Sequence, residues 1–237
     1  MKSYKVVFWM VALLVVAGCA STEVTRKQLV TGQLPRPANV WVYDFAATPA
    51  DIPADSALAG QYSKDAAPQT AEQIAAGREL GAQIATELIR QIRGMGMPST
   101  HAVTGSTPQI NDIVIKGYLL SFDEGSAVKR VAIGLGAGDS NLQVAVEGFQ
   151  VTDQGLRKLG SGSSDTGSKK SPGAAGGAAA IIATKNPAGL IISTGVKVYG
   201  EKSGKSTIEG RVDQTVKEIA DVLKKRFQEQ GWIKQSE

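Results

Sequence analysis

The chain has 237 residues with 26 basic and 22 acidic side chains, one His and one Cys. Its apolar fraction of 42% with 27 glycines and only 5% aromatics is a globular composition rich in tight turns and small-residue packing, and it excludes wholesale disorder. The near balance of charge, without clustered Lys and Arg among aromatics, excludes a nucleic-acid surface; the single Cys excludes an intrachain disulfide, and the single His any site that needs two.

Lys2 and Lys5 precede Val6–Val16, an uninterrupted apolar run of eleven residues that passes directly into Ala17, Gly18 and Cys19. This is a lipobox. The charges hold the start on the cytoplasmic side, the apolar run enters the bilayer, and small Ala17 and Gly18 leave the backbone beside the cysteine open to a peptidase. From Val6 to Ala20 the apolar stretch is fifteen residues, whereas a membrane span needs roughly 20. Residues 1–18 are therefore expected to be a signal peptide, cleaved between Gly18 and Cys19, with Cys19 lipidated and carrying palmitate-type acyl chains. Three such chains make release from the membrane negligible. Ala20 stands where enteric bacteria place Asp to retain lipoproteins at the inner membrane, so the expected address is the outer membrane, facing the periplasm.

Without residues 1–18 the chain keeps 219 residues, 24 of them basic and 22 acidic, enough for one domain with a sizeable core. The expected organisation is a lipidated tether over 19–38, in which Ser21–Gln28 has no hydrophobic pattern, and a single periplasmic domain over 39–234.

Asn39–Phe45 (NVWVYDF) reads as a buried strand with Val40, Val42 and Asp44 on one face and Trp41, Tyr43 and Phe45 on the other. Residues 46–69, rich in Ala, Pro and Asp and without a period, read as a long surface loop. Thr70 and Gln73 have capping-box spacing, and Ile74, Gly77, Gly81, Ile84, Leu88 and Ile92 recur at helical intervals until Gly94 and Gly96 end the helix. Gly77 and Gly81 lie four apart on the buried face, which lowers helix propensity but lets another element approach the backbone.

After an extended piece around His101–Thr104, Asp112–Phe122 alternates as a strand, and Asn141–Thr152 alternates more strictly, with Leu142, Val144, Val146 and Phe149 inward. Asp153, Gln154 and Gly155 turn the chain into Leu156–Ser161, a hairpin expected to close the sheet with an antiparallel edge. Thr207–Gln230 holds a second helix, with Val212, Val216, Ile219, Leu223 and Phe227 on its apolar face and Gly231 as its stop. The run Lys224, Lys225, Arg226 sits where the helix dipole favours cations. The expected fold is α+β: a single mixed or mostly antiparallel sheet, two main helices packed on it, and a Gly/Ala-rich apolar hairpin over 172–200 around Lys185–Ala188. Each arm of that hairpin is about ten residues, too short to span a bilayer as a helix.

No catalytic set is complete. Gly200–Thr207 (GEKSGKST) has three residues between its glycines where a phosphate-binding loop needs four, with Tyr199 in place of the first glycine, so no nucleotide is expected. Arg130–Gly138 (RVAIGLGAG) has alternating glycines but opens a strand and lacks the helix dipole of a dinucleotide site. His101 has no second imidazole or thiol with which to hold a metal. No catalytic, cofactor-binding or metal-binding residue is assigned, and no cofactor.

The lipobox, the Val42–Phe45 strand, Arg130–Gly138 running into Asn141–Asp153 (NLQVAVEGFQVTD), the glycine- and alanine-rich stretch, and a last helix ending in Phe227, Gln230, Gly231, Trp232 and Ile233 together resemble bacterial lipoproteins of domain-of-unknown-function family 4410. That resemblance implies no activity and transfers no functional residue. The function expected is therefore a non-enzymatic, lipid-anchored envelope module with a membrane attachment at Cys19 and an envelope protein partner. Its rivals are a subunit of an outer-membrane pore or secretion assembly, and a hydrolase using Asp, Glu or Ser.

Overall fold

A computed structural model describes residues 23–52, 70–123, 141–166 and 208–235. They form β1 (Glu23–Gln28), β2 (Val40–Tyr43), a 3-10 turn at Pro49–Asp51, α1 (Ala71–Gly94), β3 (Ser99–Ala102), β4 (Ile113–Asp123), β5 (Asn141–Thr152), β6 (Gly155–Thr166) and α2 (Ile208–Glu229). The expected signal peptide with Gly18 and Cys19, loop residues 53–69, Arg130–Gly138, the apolar pair 172–200 and Gly200–Thr207 lie outside the described residues.

The six strands make one mixed sheet in the order β1-β6-β5-β4-β2-β3, β2 running parallel to β3 and β4 and every other pair antiparallel. The α+β expectation holds. Helix α1 is the crossover that parallel β2 and β3 require. It starts on the anticipated capping box: the Thr70 hydroxyl accepts from the Gln73 N–H at 3.3 Å, and the Gln73 side-chain oxygen accepts from the Thr70 N–H at 2.8 Å. It ends as Gly96 takes φ +86, a conformation only glycine adopts without strain.

Both helices lie on one face of the sheet. Ile84, Leu88 and Ile92 of α1 and Val212, Val216 and Phe227 of α2 pack there with Val40, Val42, Ile113, Ile115, Leu142 and Val144. Each such side chain contributes roughly 1.5–3 kcal/mol on burial. The opposite face is buried as well, through Val114, Tyr118, Leu120, Ala145, Glu147 and Phe149.

Four expectations give way here. Residues Glu23–Gln28, read as tether, pair antiparallel with β6 from Glu23↔Asp165 to Gln28↔Gly160. The β5–β6 hairpin is thus interior, and β1 supplies the partner that the outer backbone of β6 needs. Phe149 is buried but belongs to the face away from the helices, since it is opposite Val114 and an odd number of residues from Val146.

The fourth concerns Phe45, whose alternation with Asp44 ends because β2 stops at Tyr43. The chain then turns Phe45 under α1, where its N–H donates to the Gly81 carbonyl at 3.2 Å, and Ala46 bridges to Tyr118. Two glycines make the slot: a Cβ on Gly81 would stand 2.1 Å from the Phe45 carbonyl oxygen, and one on Gly117 would stand 2.4 Å from the Phe45 ring. Asp44 is left exposed, 2.6 Å from His101 Nε2, a surface pair of small energetic weight.

Asp112, 2% exposed, ties the start of β4 to β2. One carboxylate oxygen accepts from the Asn39 N–H at 2.9 Å, and the other from the Trp41 indole at 2.8 Å and the Gln109 N–H at 2.9 Å.

At the 3-10 turn, burial pushes the Asp51 carboxyl up, but hydrogen bonds from Arg78 and Thr48 and the Arg78 charge outweigh it and hold Asp51 below its ordinary value. A depressed carboxyl stabilises the fold above its unfolded-state pKa, and that contribution is lost as the pH falls through the folded value. Arg78 is largely exposed, so the contribution is small. In Arg78→Ala, the Asp51 carboxyl should titrate at higher pH by NMR.

Candidate functional site

Four points on the sheet lie at one end of it. β1 begins at Glu23 opposite Asp165, β4 ends at Asp123 opposite Asn141, and β6 ends at Thr166 opposite Leu142. Helix α2 begins at the same end, because the Thr215 and Thr166 hydroxyls are 2.9 Å apart and the Ser164 hydroxyl donates to Glu218 at 2.6 Å. Segments 124–140 and 167–207 therefore both leave this end and return to it, and the link toward Cys19 leaves it too.

At the other end the carboxyl terminus of α2 clasps the strap that follows β1. The Arg226 guanidinium donates to the Val30 carbonyl at 3.0 Å. The Gln230 amide accepts from the Leu34 N–H at 2.6 Å and donates to the Gly32 carbonyl at 3.1 Å, while the Trp232 indole donates to the Leu34 carbonyl at 3.1 Å. Trp232 packs on Phe227 at 5.6 Å between ring centroids. Gln230, Gly231 and Trp232 are thus explained: Gly231 at φ +71 turns the chain so that its two neighbours face the same strap. Arg226, read from sequence as a dipole cation, has this second role, which required knowing where residues 30–34 run.

Between α2 and the sheet is an elongated cavity of about 410 Å³. Its floor follows β6 from Leu159 to Ser164 and takes in Gly148 of β5. Gly148, Gly160 and Gly162 put no side chain into it. Its roof is Ile219, Val222, Leu223 and Phe227. Leu223 is only partly buried, although it is on the apolar face of α2, because it borders this space. A shallower hollow of about 670 Å³ lies beside the end of α1, where Lys217 pairs with Asp221.

On the face of the sheet away from α1 and α2, Glu147, 1% exposed, accepts from the Tyr118 hydroxyl at 2.7 Å and pairs with Lys158, while Lys116 stands 5.3 Å over the Phe149 ring. Sequence periodicity does not group these positions and puts Phe149 on the inward face; cross-strand register brings them together. His101, left without a partner by spacing, is paired with Asp44. Among the described residues no three His, Cys, Asp or Glu side chains are grouped to hold a metal, and no helix is long and apolar enough to cross a membrane.

A family model described as Domain of unknown function (DUF4410) matches residues 40–185, more than half of the chain. The chain belongs to the DUF4410 family. The match spans β2 to β6 and stops before α2, so the Phe227–Ile233 motif and its clasp lie beyond the DUF4410 match. No curated protein matches the chain. Among solved structures this DUF4410 protein is similar to the PelC dodecamer from Paraburkholderia phytofirmans. A point variant is 14% identical with a TM-score of 0.37, covering 64% of this chain and 85% of that one. A second crystal form is 12% identical with a TM-score of 0.37, covering 64% and 86%. Similarity at that level assigns no function.

Proposed function

We infer that this protein is a non-catalytic, lipid-anchored envelope module, cleaved after Gly18, lipidated at Cys19 and held at the outer membrane facing the periplasm, where it binds another envelope component. One spacing carries the reading. Only Ala20, Ser21 and Thr22 separate Cys19 from β1, so Glu23 stands at most about 14 Å of extended chain from the lipidated residue. β1 is locked to β6, and the strap after it is clasped by Arg226, Gln230 and Trp232. The end of the sheet with Glu23, Asp123 and Thr166 thus faces the bilayer, and the Asp153–Gly155 turn faces the periplasm and a partner. Buried Asp112 and Glu147 commit their oxygens to hydrogen bonds that hold strands together, which supports binding over hydrolysis.

Cys19 is the sole cysteine, so a cysteine introduced into the lipidated protein is its single labelling site. In vesicles containing head-group nitroxide lipid, a fluorophore on the Glu23→Cys variant should be strongly quenched and one on Gln154→Cys should not; equal quenching would mean a domain hanging on a long tether. Lipidation is read separately. Labelled palmitate should enter the wild type, and Cys19→Ala should accumulate unlabelled at the size of the uncleaved chain. Palmitate incorporation that survives the substitution overturns the anchor. Crosslinking from the Gln154→Cys variant in intact cells should capture an envelope protein, and recovery of free monomer alone across growth conditions counts against a partner.

One observation favours the second reading, a pore or secretion subunit: both ends of the segment containing the apolar pair 172–200 join the end of the sheet at which β1 begins, the end nearest Cys19 along the chain. Protection of that segment from protease by the bilayer would support it, and complete digestion would remove it.

A further inference from the structure

We propose that the cavity beneath α2 is a binding site for a long-chain carboxylate, a fatty acid, with the chain along β6 and the carboxylate at Lys225. The inference is independent of the anchor at Cys19. The cavity volume of about 410 Å³ is within the range of about 300–1,000 Å³ common for ligand sites. The strand residues of its floor, Leu159 to Ser164, span about 17 Å at the rise of a β-strand, room for an extended acyl chain to lie along them.

Apolar side chains line it from both sides, Ile115, Val146 and Leu159 on the sheet and Val222, Leu223 and Phe227 on α2, together with polar groups such as Gln28, Glu218 and Gln230. An acyl chain lying there would make dispersion contacts with the apolar part of this lining. At Gly148 the missing side chain is not dictated by packing: a Cβ there would meet nothing within 4 Å. A larger residue at Gly148 would fit and narrow the gap, yet glycine leaves it open.

The two ends differ in charge. At one, Glu218 is engaged by Ser164. At the other, Arg226 is occupied by Glu229 and Val30, whereas Lys225, exposed beside the opening, has no ion-pair partner among the described residues. An anionic head group is therefore favoured at the Lys225 end and disfavoured at the Glu218 end, which sets the direction of the chain.

Trp232 lines the cavity and serves as a built-in donor. With the full chain in phosphatidylcholine vesicles, titration with cis-parinaric acid should give saturable quenching of tryptophan emission above the linear background from probe in the lipid. Gly148→Val, which fills the floor, should weaken the saturable binding about tenfold or more while leaving the melting temperature unchanged or higher. Val222→Phe blocks the space from the helix side and should do the same. Lys225→Glu should weaken parinaric acid several-fold and leave parinaryl alcohol unaffected. Quenching that rises linearly and identically in wild type, Gly148→Val and Val222→Phe overturns the site. Equal loss of acid and alcohol in Lys225→Glu overturns the assigned direction.

Discussion

Gly81→Ala is expected to destabilise the fold by about 3 kcal/mol. The added methyl would meet the Phe45 carbonyl oxygen at 2.1 Å, and overpacking of this kind typically costs about 1–3 kcal/mol, occasionally more. Relief is difficult because the obstacle is backbone. Phe45 is held by its hydrogen bond to Gly81, and Ala46 by two to β4, from its N–H to Gly117 and from the Leu119 N–H to its carbonyl. Displacing the segment sacrifices at least one of these bonds, about 1 kcal/mol, and offsets the gain of about 1 kcal/mol in helix propensity that Ala brings. Thermal unfolding should shift down by about 6–12 °C for a chain of this size. Gly94→Ala in the same helix meets nothing within 4 Å and should be neutral or stabilising by up to about 1 kcal/mol. Equal melting temperatures for the two variants would show that Phe45 does not sit against α1.

Asp112→Ala should cost about 4 kcal/mol in chemical denaturation. The substitution leaves three donors, the Asn39 and Gln109 N–H groups and the Trp41 indole, without the acceptor that served them. Each orphaned buried donor costs roughly 1–3 kcal/mol, less where a water can enter the space left by the carboxylate. Asp112→Asn should recover only part of the loss, because an amide offers one acceptor oxygen and turns its own donor toward another. Trp41 emission reports the site directly, and it should shift to the red in Asp112→Ala as the indole loses its partner. A stability loss below about 1 kcal/mol in Asp112→Ala would mean that the turn at Gln109–Asp112, and not the carboxylate, positions β4.

The periodic elements were legible. The helix from the Thr70 capping box to Gly94 and the helix ending before Gly231 follow from local signals, and Asn141–Thr152 was bounded to the residue by its alternation. Gly77 and Gly81 announced a close approach on α1, and the structure supplies Phe45 as the element that approaches Gly81. The candidate site was less legible. The residues of the cavity floor are small and polar in sequence, Gly160–Ser164, and read as an ordinary outer strand until α2 is placed above them. Gln230 and Trp232 stood out as a motif but without a role, because their partners are some 196–198 residues away in the chain.

By itself the sequence determined what depends on neighbours in the chain: the lipobox pattern around Cys19, the caps and faces of two helices, the alternation of β5, and the α+β class. These signals are local because helix and strand periods, capping and glycine turns all act over a few residues. Only the tertiary structure decided that Glu23–Gln28 is a strand and not a tether. No pattern in those six residues demands pairing; the open edge of β6 does. Tertiary structure also decided where Phe45 goes and which sheet face holds Glu147 and Phe149. It alone brought the link to Cys19 and both ends of the 167–207 segment to one end of the sheet, because cross-strand register is a property of two segments at once.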